Sequence, residues 1–305
     1  MIKYILRRLF YSIFVLFGVA TLVFFISRLT GDPVAILLPP DATAEMIEQT
    51  IMRLGLDKPI STQYGIFLRD LLRGDLGTSI RFRESTVGLI LERMPATLML
   101  SGAALGLALA VAIPIGILAA LRQGSAADRL LMGFSVLGQA MPVFWVAILM
   151  VMLFSVNLRW LPTGGFGGIR HLILPAIALG VRFMAITARL LRSSLIEVMG
   201  ADYIRTSRAK GLREKAVVVK HALRNSILPV ITMIGLQMGS LLGGSVVTET
   251  VFGWPGVGQL LIQAITHRDF PLVQASTILL AGVFILINLI VDIIYVFVDP
   301  RISYT

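Results

Sequence analysis

Six long apolar runs constrain the fold of this chain more than any other feature of its sequence. A helix needs about 20 apolar residues to cross the hydrocarbon core of a bilayer. Only 14% of the residues are charged, whereas about a quarter are charged in an average soluble domain. We therefore predict an all-α, polytopic membrane protein with about six transmembrane helices. The runs cover residues 9–29, 95–121, 130–156, 171–190, 227–249 and 272–298.

The fourth run is the least apolar of the six. It is continuous only from Leu172 to Val181, after which Arg182 interrupts it. A stretch of this length is too short to face lipid across a whole bilayer. We expect this helix to be packed among its neighbours and to continue beyond the membrane face.

The basic residues are distributed unevenly between alternate loops. The net charge of +10 would suggest a nucleic-acid partner in a soluble protein, but multi-pass proteins concentrate Lys and Arg in cytoplasmic loops. With the N-terminus inside, most basic residues outside the long 30–94 loop fall on the inner side, and the short outer loops hold three. Both termini are therefore predicted to be cytoplasmic. The inner segments are 1–8, 122–129, 191–226 and the tail after Val298.

The N-terminal run follows Lys3, Arg7 and Arg8, as the apolar core of a signal peptide would. It is too long for such a core, and it ends in the sequence SRLTGDP, which is a poor cleavage site. We predict a retained transmembrane helix.

The segment 30–94 is predicted to be a small extracytoplasmic subdomain. Asp41 or Thr43 is placed to cap a helix that Gly55 would end and that Pro59 would prevent from continuing. The stretch from Arg69 to Arg83 is interpreted as turns. The predicted helix bears Met46, Ile47, Ile51 and Leu54. The full predicted organisation is 1–29 as cytoplasmic N-terminus and first helix, 30–94 as extracytoplasmic segment, 95–298 as five-helix core including 191–226, and 299–305 as cytoplasmic tail.

Motifs for catalysis, metal binding or nucleotide binding are missing from the sequence. It contains no G-x-x-x-x-G-K-[ST] loop, no H-E-x-x-H and no G-x-S-x-G. It also contains no cysteine, and its three histidines lie at separate loop or helix-end positions. We therefore expect no metal site, no ATP hydrolysis by this chain and no enzymatic activity.

Polar and ionisable residues inside the runs are candidates for a pathway, because such residues are costly in a membrane. For Arg182, a gating role and extension to the cytoplasmic interface are equally consistent with the sequence. For Asp292, the alternatives are an ion pair with a structural partner and a contact with substrate. For Gln139, Pro142 and Gln237, the alternatives are a role in helix packing and a position along the pathway. The pathway or gate candidates are Gln139, Pro142, Arg182, Gln237, Glu249 and Asp292.

The stretch FGWPGVGQLL, residues 252–261, is interpreted as a Gly- and Pro-rich loop between the last two helices, with a re-entrant turn as the alternative. Its aromatics, Phe252 and Trp254, are typical of a membrane interface.

One segment, from Asp202 to Pro229, carries seven basic residues in an otherwise apolar chain. We predict a short helix over 201–210, a break at Gly211, and a second helix from Leu212 to Arg224 that leads into the fifth span. The charges could serve only to fix the membrane topology and to bind anionic lipid. Those roles do not require two helices joined at a glycine. A docking surface for a cytoplasmic partner is the alternative.

These residues resemble the permease subunits of ABC importers, and specifically the B-type permease of the dipeptide, oligopeptide and nickel branch. The resemblance extends over nearly the whole chain, with one departure, since Arg205-Thr206-Ser207 stands where the general signature has E-A-A. It is carried by YIRTSRAKG and HALRNSILPV, and by LGLDKP, GDLGTS, MPATL, LPT, GGSVVTETVFGWPGVGQLL and RDFPLVQA.

The resemblance implies a type I permease fold in a bacterial inner membrane. It also implies a second homologous permease, two cytoplasmic ATPases that bind ATP and Mg, and an extracytoplasmic solute-binding protein, with no cofactor in this chain. Phe252 and Trp254 would face the binding protein. The ATPase-coupling residues would be Asp202, Tyr203, Arg205, Thr206, Arg208, Ala209, Lys210 and Gly211.

Short peptides are the expected substrate by resemblance. Glutathione, nickel chelates, opines and oligosaccharides are alternatives within the same architecture. A self-sufficient secondary transporter or channel is the alternative of a different class.

Overall fold

The computed structural model describes residues 2–29, 42–53 and 55–298, and the regular structure in these residues is helical. A single bridge joins Thr78 and Ser85 outside the helices. The α-helices are α1 (Ile2–Leu29), α2 (Ala44–Arg53), α3 (Ile60–Leu72), α4 (Thr86–Leu121), α5 (Ala126–Ala140), α6 (Val143–Met150), α7 (Ile169–Met199), α8 (Asp202–Ala209), α9 (Glu214–Ala216), α10 (Leu223–Ser226), α11 (Leu228–Phe252), α12 (Val257–Thr266) and α13 (Phe270–Val298). Two π-helical stretches continue α6 and α9, Val151–Asn157 and Val217–Ala222.

The described chain divides into two compact units. Unit A contains residues 97–254 and 286–298, and unit B contains residues 2–96 and 255–285. The predicted segments 30–94 and 95–298 divide the chain by membrane topology rather than by compact units, so those bounds stay predictions.

Within the part of the chain that the structure describes, five helices are long and apolar enough to cross a membrane, and each overlaps a predicted span. The second of these helices, α4, begins at Thr86, nine residues before the predicted start of its span at 95. The extra turns carry Leu89 and Ile90, which are buried in the core of unit B. The five spans are Arg7–Leu29, Thr86–Leu121, Ile169–Met199, Leu228–Phe252 and Phe270–Val291.

The third predicted span, 130–156, is present as two helices rather than one. It is a pair, α5 and α6 with its π-helical continuation, bent by 109°. Met141 and Pro142 both have extended backbone between the two helices. Proline disfavours the helical region for the residue before it and lacks the N–H that a continuing helix needs.

Helix α7, which corresponds to the fourth predicted span, is the most enclosed of the five. More than half of its window, 56%, is buried, which confirms that it is packed among its neighbours. At Gly180 it approaches α4 so closely that a Cβ atom would lie 2.8 Å from the Ala104 carbonyl oxygen. A second approach, from Gly138 of α5, brings that helix against Val181.

Unit B contains a helix that the sequence analysis did not predict. After Pro59, α3 places Tyr64 and Phe67 against Phe24 of α1, with ring centroids 5.3 and 5.1 Å away. Arg69 is therefore helical, and the predicted turns begin only at Arg73.

The other predicted helix in this region is present as α2. Thr43 is its cap, since its Oγ1 accepts a hydrogen bond of 3.3 Å from the Met46 N–H. Gly55 follows with φ +65°, which ends the helix as predicted. The alternative cap Asp41 and the apolar Leu54 lie outside the described residues.

The chain after Gly253 is a short helix rather than only a loop. In α12, Val257, Leu260 and Ala264 are buried against Leu89 and Leu272 within unit B. Neither the loop nor the re-entrant turn considered from the sequence anticipated this packing.

Candidate functional site

The basic segment folds as two helices joined at a glycine. Helix α8 ends at Ala209, and Gly211 adopts φ +76° before α9 begins at Glu214. This left-handed conformation suits glycine and strains other residues. The predicted helix, break and second helix are confirmed, with a π-helical stretch inside the second helix.

A small apolar cluster anchors the short helix α8 to the rest of unit A. Ile204 is fully buried against Leu195 of α7 and against Val217 and Ala222 of the following helix. The amide of Asn225 adds a hydrogen bond of 2.8 Å to the Tyr203 hydroxyl. Movement of α8 is therefore tied to the C-terminal end of α7.

An ion pair spans the turn at Gly211. The Arg208 guanidinium donates two hydrogen bonds to the Glu214 carboxylate, with N–O distances of 2.7 and 3.2 Å. These hydrogen bonds hold the pKa of Glu214 below its ordinary value and raise the pKa of Arg208. Both side chains are exposed, so the pair steadies the turn rather than supplying most of its stability.

The ion pair makes this turn sensitive to acid. Because the folded-state pKa of Glu214 is depressed, the stabilisation is present above the ordinary glutamate pKa, about 4.3, and is lost as pH falls through the lowered value. Spin labels at Thr206→Cys and Lys220→Cys can report this, since the chain has no native cysteine. We expect their distance distribution to broaden in acid. A Glu214→Gln control should be broad at every pH, and a wild-type distribution that does not change with pH would contradict the role of the pair.

All eight predicted coupling residues lie on the exposed side of the segment. The two buried residues of α8 are Ile204 and Ser207, which the sequence analysis did not select. An isolated isoleucine among charged residues was the available signal for an anchor. The exposed residues are Asp202, Tyr203, Arg205, Thr206, Arg208, Ala209, Lys210 and Gly211.

Three of the pathway candidates, Gln139, Arg182 and Gln237, line one cavity of about 410 Å³ in unit A. It lies between one face of α7 and one face of α11, next to the break between α5 and α6. On α11 the lining residues recur at helical spacing, as Met233, Gln237, Ser240 and Gly244. The structure therefore brings together polar residues from three separate parts of the sequence.

A second cavity of about 530 Å³ shares Gln139, Ile186 and Met233 with the first. Arg189, one of its lining residues, donates a hydrogen bond of 2.7 Å to Gln139 Oε1. Arg192, also in the lining, forms two hydrogen bonds of 2.6 and 2.7 Å with Asp128. This bidentate pair ties α7 to α5 and offsets the charge of Arg192.

The remaining pathway candidates lie elsewhere. Pro142 is at the break between α5 and α6, beside the cavity residue Val143. Glu249 is fully buried, and its Oε1 accepts a hydrogen bond of 2.8 Å from the Thr97 hydroxyl. The side chain of Asp292 is outside the described residues, so its proposed role stays a prediction.

The two aromatics predicted to face a binding protein do not reach the surface. Phe252 is 1% exposed and Trp254 is 0% exposed. Phe252 packs against Ala147, Leu174 and Ala178, and Trp254 packs edge-on against Phe166, with ring centroids 4.9 Å apart. Their burial in this packing removes them as contact residues.

Two family models together match almost the whole chain. Residues 112–304 match the inner membrane component of binding-protein-dependent transport systems. Residues 1–101 match the N-terminal part of the membrane component of the same systems.

Individual relatives agree over the full length of the chain. A dipeptide transport system permease protein of Alkalihalophilus pseudofirmus is 40% identical, and a glutathione transport system permease protein of Escherichia coli O6:H1 is 43% identical, each with both chains covered completely. The inward-facing MetNI methionine ABC transporter shares the fold, with a TM-score of 0.56, 20% identity, and coverage of 70% of this chain and 97% of that one.

These comparisons confirm the resemblance that the motifs indicated, and they confirm the all-α permease fold. They also place the chain among multi-pass inner membrane proteins. The protein belongs to the family of inner membrane components of binding-protein-dependent transport systems, and it is a permease subunit of an ABC importer.

Proposed function

We propose that this permease forms half of a translocation pathway for short peptides and that ATP hydrolysis takes place on separate chains. The observation that carries the proposal is the continuity of α7. Arg182 of this helix lines the cavity, and Leu195, thirteen residues later, contacts the anchor Ile204. Thirteen helical residues span about 20 Å, so one rigid element joins the cavity to the exposed coupling segment.

The partners follow from this arrangement and from the family. The exposed basic surface of α8 is suited to a groove on a cytoplasmic ATPase, and ATP and Mg would be bound there rather than by this chain. A second, homologous permease would complete the pathway, with two ATPases below and a solute-binding protein outside. The distribution of Lys and Arg supports cytoplasmic termini.

The relatives support two short-peptide substrates, because they are named for dipeptide transport and for glutathione transport. We propose dipeptides first and glutathione second. Neither of these two relatives is named for nickel chelates, opines or oligosaccharides. Membership of the family argues against a self-sufficient secondary transporter or channel.

Uptake into vesicles that contain the whole assembly tests this function. With ATP inside and binding protein outside, we expect labelled dipeptide to accumulate. A variant of this chain that combines Gly211→Pro with Arg208→Glu should abolish accumulation, because proline fixes φ near about −65° and cannot adopt the +76° of Gly211. Uptake that persists without the ATPases would refute the proposal. ATP-dependent uptake of glutathione but not of dipeptide would replace the first substrate by the second.

A further inference from the structure

The cavity of Gln139, Arg182 and Gln237 presents hydrogen-bond donors that have no acceptor. The Nε2 atom of Gln237 is buried and has no hydrogen-bond partner. Within the described chain, the Arg182 guanidinium faces the same cavity without an ion pair or hydrogen bond. A buried donor without a hydrogen-bond partner raises the free energy of the folded protein. A solute that supplies an acceptor removes this cost.

The charged side chains among the described residues that line this cavity have one sign. Its lining contains Arg182 and no acidic residue, and the lining of the adjoining cavity contains Arg189 and Arg192, also without a carboxylate. Arg192 is offset by Asp128 and Arg189 is bonded to the neutral Gln139. The potential at the cavity is therefore positive, and it attracts anions and repels cations.

The position of Arg182 in a membrane span indicates what surrounds its side chain. It is exposed on the surface of this subunit, in the middle of α7. Charged residues within spans face a water-filled cavity or another polypeptide rather than lipid, because hydrocarbon cannot solvate them. With Arg189 already bonded to Gln139, Arg182 is the guanidinium available to a solute.

We infer that Arg182 and Gln237 form a carboxylate-binding station in the pathway, which makes the permease selective for peptides that carry acidic side chains. The inference rests on the proposed function for the nature of the solute. A planar guanidinium donates two parallel hydrogen bonds to a carboxylate, and the Gln237 amide supplies a further donor. Among peptides of equal length, those with an added carboxylate would be carried faster than those with an amide or an ammonium group.

Two isosteric dipeptides, Ala-Glu and Ala-Gln, test this selectivity, since they differ only in the charged group. With one binding protein throughout, we expect Arg182→Gln to lower the ratio of Ala-Glu to Ala-Gln uptake about tenfold, which corresponds to one charge-assisted hydrogen bond. Arg182→Lys should restore part of the ratio, because it restores the charge without the fork geometry. Arg122→Gln removes an exposed arginine elsewhere and should leave the ratio unchanged. A ratio that is equal in wild type and Arg182→Gln would overturn the inference.

Assembly is measured in parallel, because Arg182 also has the exposure of a subunit contact. If Arg182→Gln no longer assembles, Gln237→Leu replaces it as the test variant. A Gln237→Leu assembly that keeps the wild-type ratio would then assign Arg182 to the contact between subunits and would refute the station. A lowered ratio in Gln237→Leu would support it.

Thiol labelling tests the cavity without any transported peptide. The chain has no cysteine, and Ser240 lines the cavity with an exposed side chain. In the assembled Ser240→Cys transporter, we expect an anionic methanethiosulfonate to react faster than a cationic one. Adding Arg182→Gln should lower this preference about fivefold, the effect of one nearby unit charge in a partly screened setting. An unchanged preference would contradict the inference.

The two experiments separate failure of the inference from failure of the proposed function. If wild-type vesicles take up neither dipeptide, the peptide function fails, and the thiol preference alone decides whether the cavity is selective for anions. If both dipeptides enter, and the ratio of Ala-Glu to Ala-Gln uptake is the same in every variant, the proposed function holds and the station is refuted.

Discussion

Ile204→Asp is expected to abolish ATP-driven uptake while the permease remains in the membrane. The isoleucine is fully buried between Leu195, Val217 and Ala222. An unpaired carboxylate in this apolar contact would cost at least about 4 kcal/mol. A helix of eight residues is not stable without its packing, so α8 should detach, and ATP binding would no longer move α7.

Uptake and ATP hydrolysis, measured together, test this prediction. We expect hydrolysis to continue and to lose its dependence on the binding protein. Val219→Asp is the matched control, because Val219 lies in the same segment but is 55% exposed; a change there should alter the stability by less than about 0.5 kcal/mol. Coupled uptake by the Ile204→Asp assembly would show that this anchor does not transmit movement.

Gly180→Ala is expected to have the largest effect of any single added methyl group in the packing of α4 against α7. The new Cβ atom would meet the Ala104 carbonyl oxygen at 2.8 Å. The obstacle is backbone, so it cannot be relieved by a rotamer change, and the two helices must separate. Overpacking of this kind costs about 1 to 3 kcal/mol.

The free energy of unfolding in mixed detergent micelles measures this effect. Gly106→Ala is the matched control in α4, because no atom lies within 4 Å of the position that its new methyl group would occupy. There the change should stabilise the helix by up to about 1 kcal/mol, since alanine has the higher helix propensity. Opposite signs at the two glycines are the expected outcome, and equal effects would contradict the close approach of the helices.

The separation of α5 from α6 shows the limit of prediction from apolar runs. Hydropathy located the third run correctly, but it carried no information about direction, and the chain bends by 109° at Met141 and Pro142. Other prolines did not break their helices, since Pro114 and Pro175 lie within α4 and α7. A proline inside a helix leaves the carbonyl oxygen one turn earlier without its helical hydrogen bond. The neighbouring groups that can bond this oxygen differ between these sites, and local sequence does not describe them.

The polar residues of the candidate site show a second limit. Each of Gln139, Arg182 and Gln237 was identified from its own unfavourable position in an apolar run, because a membrane makes such residues costly wherever they lie. Their meeting at one cavity depends on the packing of α5 and of α11 against α7. The resemblance also placed Phe252 and Trp254 on a surface that faces a binding protein, and packing buried them.

The sequence by itself determined that this is an all-α membrane protein with a basic helix–glycine–helix segment, and its motifs carried the resemblance to importer permeases. The helical membrane fold follows from span length, and the break in the basic segment follows from Gly211. The tertiary structure alone decided that Ile204 anchors the coupling helix, that Gly180 permits close helix contact, and that Arg182 and Gln237 share a cavity. These are contacts between residues far apart in the chain, and their energies depend on distances of a few ångströms that no local pattern encodes.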